Sequence, residues 1–120
     1  MAVRKVLCVD DTNADLLNLE KIVTGAGLIV LTATSGRDAI AIAKGSLPDL
    51  IFLDVNMPDM DGFAVMRELK AAASVKSIPV VFVTSKSQKA DKMWAQMQGA
   101  SGYVTKPYTA EQILEQIRGF

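Results

Sequence analysis

Five short and nearly unbroken apolar runs restrict this chain more than any other feature: residues 3–9, 28–33, 50–55, 79–84 and 102–105. A strand with one wet face alternates apolar and polar residues. A continuous run instead predicts a strand covered on both faces, the usual condition of a parallel sheet. Amphipathic segments separate the runs. Leu16, Leu19, Ile22 and Val23 recur at helical spacing, with Gly25 or Gly27 as a stop, and Ser35 with Asp38 opens a second helix that ends near Gly45. Phe63, Met66 and Leu69 mark a third helix with an alanine-rich tail, and Met93, Trp94 and Met97 mark a fourth closed by Gly99. Thr109 and Gln112 form a capping box for a fifth, whose apolar stripe is Ile113, Leu114 and Ile117. Five strand–helix units in so short a chain predict a doubly wound α/β fold with helices on both sides of a parallel sheet.

Composition agrees with this and removes several functions. One domain of 120 residues buries about two-thirds of its unfolded surface without needing a disulfide or metal staple. Thirteen basic and thirteen acidic residues cancel, which gives no global electrostatic case for nucleic acid or an anionic membrane. The absence of histidine removes Ser-His and Cys-His catalysis, zincin motifs and histidine pH switching. Cys8 is alone and lies in an apolar run, where it reads as a small buried hydrophobe. No stretch approaches the ~18 apolar residues of a membrane span, and no signal-peptide pattern opens the chain, so a cytoplasmic location is expected.

Doubly wound folds bind ligands beyond the carboxyl ends of their strands. The first run ends in Asp10 and Asp11, the third in Asp54, the fourth in Thr84 and Ser85, and the fifth leads to Lys106 and Pro107, whereas the second ends in neutral Thr32 and Thr34. Taken singly, each has an ordinary explanation. An aspartate before a helix is a common N-cap, a task Thr12 can share. A lone lysine is commonly a solvated surface residue, and a threonine can merely end its strand. Asp59 and Asp61, beside Pro58 and Gly62, read as turn formers. Taken together at one sheet edge, Asp10, Asp11, Asp54, Thr84 and Lys106 outweigh those explanations.

Carboxylates gathered this closely repel one another unless a cation sits among them. All-oxygen ligands suit a hard ion such as Mg²⁺. With an ammonium and hydroxyl donors added, the edge suits a phosphoryl group, and Asp54 is a candidate nucleophile. Other motifs fail: Gly25-Ala26-Gly27 follows a helix, the wrong context for a dinucleotide fingerprint, and no P-loop motif occurs. The Met and Trp residues of the fourth helix read as core packing rather than as a ligand box, with room for Trp94 to be partly exposed.

The sequences VLCVDD, LIFLDVNMPDMDG, VVFVTS and YVTKP, in that order, make the whole chain resemble the receiver domain of two-component response regulators, particularly the single-domain chemotaxis (CheY-like) type. Thr84-Ser85-Lys86, Asp91-Lys92, Trp94, Gln98-Gly99-Ala100 and Tyr103 are also similar to regulators of twitching motility, the PilH-like group. The resemblance implies a flavodoxin-like (βα)5 fold with strand order 2-1-3-4-5, forming one receiver domain over residues 1–120 without an output domain. It implies that Asp54 is the phosphoacceptor. Asp11 would be the direct metal ligand and Asp10 its partner, with the backbone carbonyl of Asn56 completing the protein's share of Mg²⁺ coordination (Mn²⁺ substituting). Thr84 would be the switch hydroxyl, Tyr103 the aromatic that follows it, and Lys106 the phosphoryl partner, with a cis bond to Pro107. Met57-Pro58 and Gly62 would shape the loop after the acceptor. Ser85 stands where the family often has alanine or glycine, which bears on rates rather than on the chemistry.

The implied partners are a sensor histidine kinase or a histidine phosphotransfer domain, and a downstream protein target. Nucleic acid and membrane insertion are not expected, nor is enzymatic turnover beyond intrinsic autophosphorylation and autodephosphorylation. Two other classes are consistent with parts of the pattern. A Mg²⁺-dependent phosphatase with an aspartyl nucleophile resembles the haloacid dehalogenase group, but typically places a second acid where this chain has Asn56. A receiver-like module that only binds partners would leave the acid, hydroxyl and lysine set unused.

Overall fold

The computed structural model describes residues 3–120. Strands and helices alternate as β1 (Lys5–Val9), α1 (Asn13–Gly25), β2 (Ile29–Ala33), α2 (Gly36–Ser46), β3 (Leu50–Leu53), α3 (Gly62–Ala71), β4 (Val80–Thr84), α4 (Lys89–Met97), β5 (Gly102–Thr105) and α5 (Ala110–Arg118). The strands pair in parallel in the order β2-β1-β3-β4-β5. This is the expected doubly wound α/β architecture. Strand order reverses between β1 and β3, which is where such folds open a crevice for ligands.

Unbroken apolar strands serve two cores at once, because successive side chains point to opposite faces. Val6 and Cys8 of β1, with Phe52 and Val81, pack against Leu16, Leu19 and Val23 of α1 and Ile113 of α5. Leu7 and Val9, with Ile51, Leu53 and Phe82, pack against Ala39, Ile40 and Ala43 of α2 and Val65, Met66 and Leu69 of α3. At β2, whose edge position the resemblance implied, burial departs from the two-faced cover that the unbroken run predicts. The strand lies at the sheet edge, its residues are largely half-buried or exposed, and Ile29 is 61% exposed. An apolar run does not by itself distinguish a central strand from an edge.

Helix ends follow local chemistry. The Ser35 hydroxyl accepts the Asp38 N–H, and α5 carries the full Thr109–Gln112 capping box. After α1, Gly27 takes the left-handed conformation at φ 84° that terminates the helix. The fourth helix corrects the reading of Met93 and Met97 as core, while Trp94 has the partial exposure that reading allowed. Met93, Trp94 and Met97 are exposed, and Ala95 is the residue of α4 that is buried. The small side chain faces the core, which rotates the large ones outward. Trp94 keeps one edge against the ring of Phe63, at 6.3 Å between centroids.

Candidate functional site

The sheet delivers its polar strand ends to one edge through backbone pairing. The Asp10 N–H donates to the Ala33 carbonyl, the Asp54 N–H to Val9, and the Lys106 N–H to Thr84, so each residue just past its strand is still held by its neighbour. Strand β3 ends at Leu53, one residue before Asp54, which stays bonded to β1 through its N–H and is only 4% exposed. The Asp54 carboxylate accepts the Asn56 N–H at 3.2 Å. One carboxylate oxygen from each of Asp10, Asp11 and Asp54 lies within 4.8 Å of the others, with Asp11 exposed and the other two buried.

Lys106 closes this group. Its Nζ donates to Asp10 Oδ2 at 2.6 Å, to Asp54 Oδ2 at 3.0 Å and to Asp15 Oδ2 at 3.0 Å. Burial alone would lower the lysine pKa, but hydrogen bonds to three carboxylates outweigh it and hold the ammonium well above the ordinary lysine range. Asp10 is pushed up by burial, against the lowering effect of Lys106 and the Thr12 amide. Its Oδ1 accepts that amide at 2.9 Å. Thr12 occupies the N-cap position of α1 but makes no side-chain cap bond, so the shared capping expected of Thr12 falls to the carboxylate of Asp10.

Thr84 is fully buried at the end of β4, and Tyr103 stands one strand away on β5, its phenol donating to the Lys86 carbonyl at 2.7 Å. Burial first, and then the charges of Asp91 and Asp54, push the Tyr103 pKa up to about 12. The Lys106–Pro107 bond is cis, as the resemblance implied. Gly62 lies against the backbone of the acceptor segment: its N–H donates to Val55, and a Cβ there would collide with the Asp54 carbonyl oxygen. Pro58 belongs to the loop joining Asp54 to Gly62.

Two aspartates assigned to turn formation have more specific work. Asp61 is the N-cap of α3, accepting the Ala64 N–H. Asp59 reaches across to α2 and accepts the amides of Gly36 and Arg37 at 3.0 and 3.1 Å. Those two amides hold its carboxyl below the usual range. Asp15 was missed altogether. Its only sequence signal is an acid in the first turn of a helix, which ordinarily means dipole compensation alone.

An oxygen-rich pocket closed by a lysine thus stands at the switch point of a doubly wound α/β sheet, where proteins of this class bind their ligands. Residues 6–118 match the family model for the response regulator receiver domain, and the chain belongs to that family. It is 38% identical over 113 residues to the Pseudomonas aeruginosa protein PilH, covering 94% of this chain and 93% of that one. It is 34% identical over 110 residues to the Helicobacter pylori sensor histidine kinase CheAY, covering 90% of this chain but 14% of the kinase. The Vibrio cholerae chemotaxis protein CheY4 has a similar structure, with a TM-score of 0.91 at 32% identity over 98% of each chain. The chain is thus a receiver-domain signalling protein, similar in sequence to the protein PilH and in structure to a chemotaxis protein.

Proposed function

We propose that this chain is a phosphoacceptor response regulator in which Asp54 receives a phosphoryl group from the phosphohistidine of a partner histidine kinase or histidine phosphotransfer domain. One observation carries the reading: a buried carboxylate at the switch point has its Oδ2 3.0 Å from the Lys106 ammonium, and carboxylates of Asp10 and Asp11 complete an all-oxygen group beside it. That donor set fits a hard divalent cation, Mg²⁺ or Mn²⁺, which Asp10, Asp11 and Asp54 would hold, joined by the Asn56 carbonyl that the family resemblance implies. When bound, the cation supplies positive charge against the transferred phosphoryl oxygens.

An Asp54 oxygen attacks phosphorus in line, the P–N bond to the kinase imidazole breaks, and that nitrogen leaves with the bonding pair and then takes up a proton. Lys106 donates to the oxygens on which charge develops. Thr84 then moves to the phosphoryl group and Tyr103 follows, reshaping the α4-β5-α5 face for binding a downstream protein. That face passes the signal to the partner in the cytoplasm, where histidine kinases act. The name of the chemotaxis protein CheY4 favours a chemotaxis pathway, the resemblance to the twitching-motility PilH-like group favours a motility one, and the name of CheAY favours a histidine kinase as partner.

Incubation with Mg²⁺ and acetyl phosphate should add one phosphoryl group by intact mass, and Asp54→Ala should add none. Labelling that persists in Asp54→Ala would sink the assignment. Multiple turnover of small phosphoesters would instead point to the phosphatase class.

A further inference from the structure

Lys106 has more acidic partners than phosphoryl transfer can leave it. An ammonium has three N–H donors, and all three have carboxylate partners here: Asp10, Asp54 and Asp15. Any bond from Lys106 to a phosphoryl oxygen therefore displaces one of them. The side chains of Asp10 and Asp54 are 4% and 6% exposed, whereas that of Asp15 is 46% exposed. Solvent can take over the hydrogen bond of Asp15 and of neither other acid. Asp15 is the partner that Lys106 gives up most easily.

The local geometry explains why Asp15 faces Lys106. Thr12 is the N-cap of α1, which puts Asp15 at the third helical position, where an acidic side chain commonly reaches back to the N-cap amide. That amide is already taken by Asp10 Oδ1 at 2.9 Å. With its ordinary acceptor role filled, Asp15 turns to the ammonium. It also lines an open cavity of ≈ 330 Å³ with Asn18, Ser85, Lys106, Pro107 and Tyr108, so Asp15 and Lys106 meet at the wall of one open approach to the site.

We infer that Asp15 is a positioning residue that holds the third donor of Lys106 until a phosphoryl group arrives, and so slows phosphoryl capture. This rests on the phosphoacceptor reading above. Two effects act together: the bond to Lys106 must break before that donor is available, and the Asp15 charge opposes an incoming anion. Because the same charge also stabilises the ammonium, Asp15 acts through Lys106 and takes no part in bond making.

The test compares wild type, Asp15→Asn, Asp15→Glu and Asp54→Ala with acetyl phosphate, following phosphoryl gain by intact mass across a Mg²⁺ series. Asp15→Asn should gain the group about two- to five-fold faster, the span of a half-exposed ion pair. The Mg²⁺ concentration for half-maximal rate should not change, and Asp15→Glu should return the rate toward wild type. An Asn variant as slow as wild type or slower overturns the role of Asp15. So does one that needs more Mg²⁺, since that would make Asp15 part of the metal site. Absence of labelling in wild type, or labelling in Asp54→Ala, would instead defeat the phosphoacceptor reading and this inference with it.

Discussion

At the scale of single residues, backbone proximity matters as much as side-chain chemistry. Gly62 shows this. Its amide bonds to Val55, and a Cβ built on it would meet the carbonyl oxygen of Asp54 and come within 2.9 Å of Val55 Cα. Backbone cannot swing aside as the end of a flexible side chain can, so Gly62→Ala should destabilise the fold by about 3 kcal/mol, the upper part of the overpacking range. Urea denaturation measures this, and a loss below about 0.5 kcal/mol, the span of ordinary surface changes, would show that the segment yields. The motif's glycine was visible in the sequence, but the reason for it was not, because the colliding atom belongs to a residue eight positions earlier. Cys8 illustrates the opposite case. The run around it already indicated burial, and the fold makes it fully buried, with burial pushing its thiol up to about 12.

At the scale of elements, the loop after β3 is joined to α2 rather than left free. Asp59 accepts two amides at the start of α2, and Gly36 there has Met60 and Val65 packed so close that a Cβ would lie 2.9 and 2.8 Å from their side chains. These contacts tie the segment that follows Asp54 to the helix that precedes β3. They also carry a pH signature. The folded pKa of Asp59 is lowered by the Gly36 and Arg37 amides, from about 3.9 in the unfolded chain. A depressed carboxyl contributes stability above its unfolded pKa and loses it as pH falls through the folded value. Asp59→Asn should therefore melt below wild type at neutral pH, with the gap closing as pH falls below about 4. A gap of constant size across that range would show that the charge of Asp59 plays no part. Helix α4 marks the limit of periodicity at this scale: Met93, Trp94 and Met97 lie at helical spacing, yet Ala95 takes the core position.

At the scale of the whole molecule, strand order assembles the site. Asp10 and Asp11 follow β1, Asp54 follows β3, and these strands are neighbours only because the chain crosses back after β2. A cation bound among them would cross-link segments distant in sequence and exist as a site only in the folded chain. Mg²⁺ should therefore raise the melting temperature, approaching about 2.7 kcal/mol of stabilisation when its concentration is a hundredfold above its Kd. Asp11→Asn should remove most of that rise, and an equal rise in both proteins would place the ion elsewhere. Calorimetry or near-UV circular dichroism at several Mg²⁺ concentrations reads this directly.

The sequence alone determined the five strand–helix units, the two-sided burial of β1, β3 and β4, and the set of polar residues that end the strands. Those are properties of local pattern, since burial on both faces leaves an unbroken apolar run and a strand end leaves a change to polar chemistry. Tertiary structure alone decided three things. It left most of β2 partly open to solvent despite its unbroken apolar run, turned Met93 and Met97 of α4 outward, and gave Lys106 a third carboxylate in Asp15. The physical reason is the same in each case. These outcomes depend on which surface lies opposite a residue, and the partner of Asp15 is 91 positions away along the chain, beyond anything that spacing or periodicity can encode.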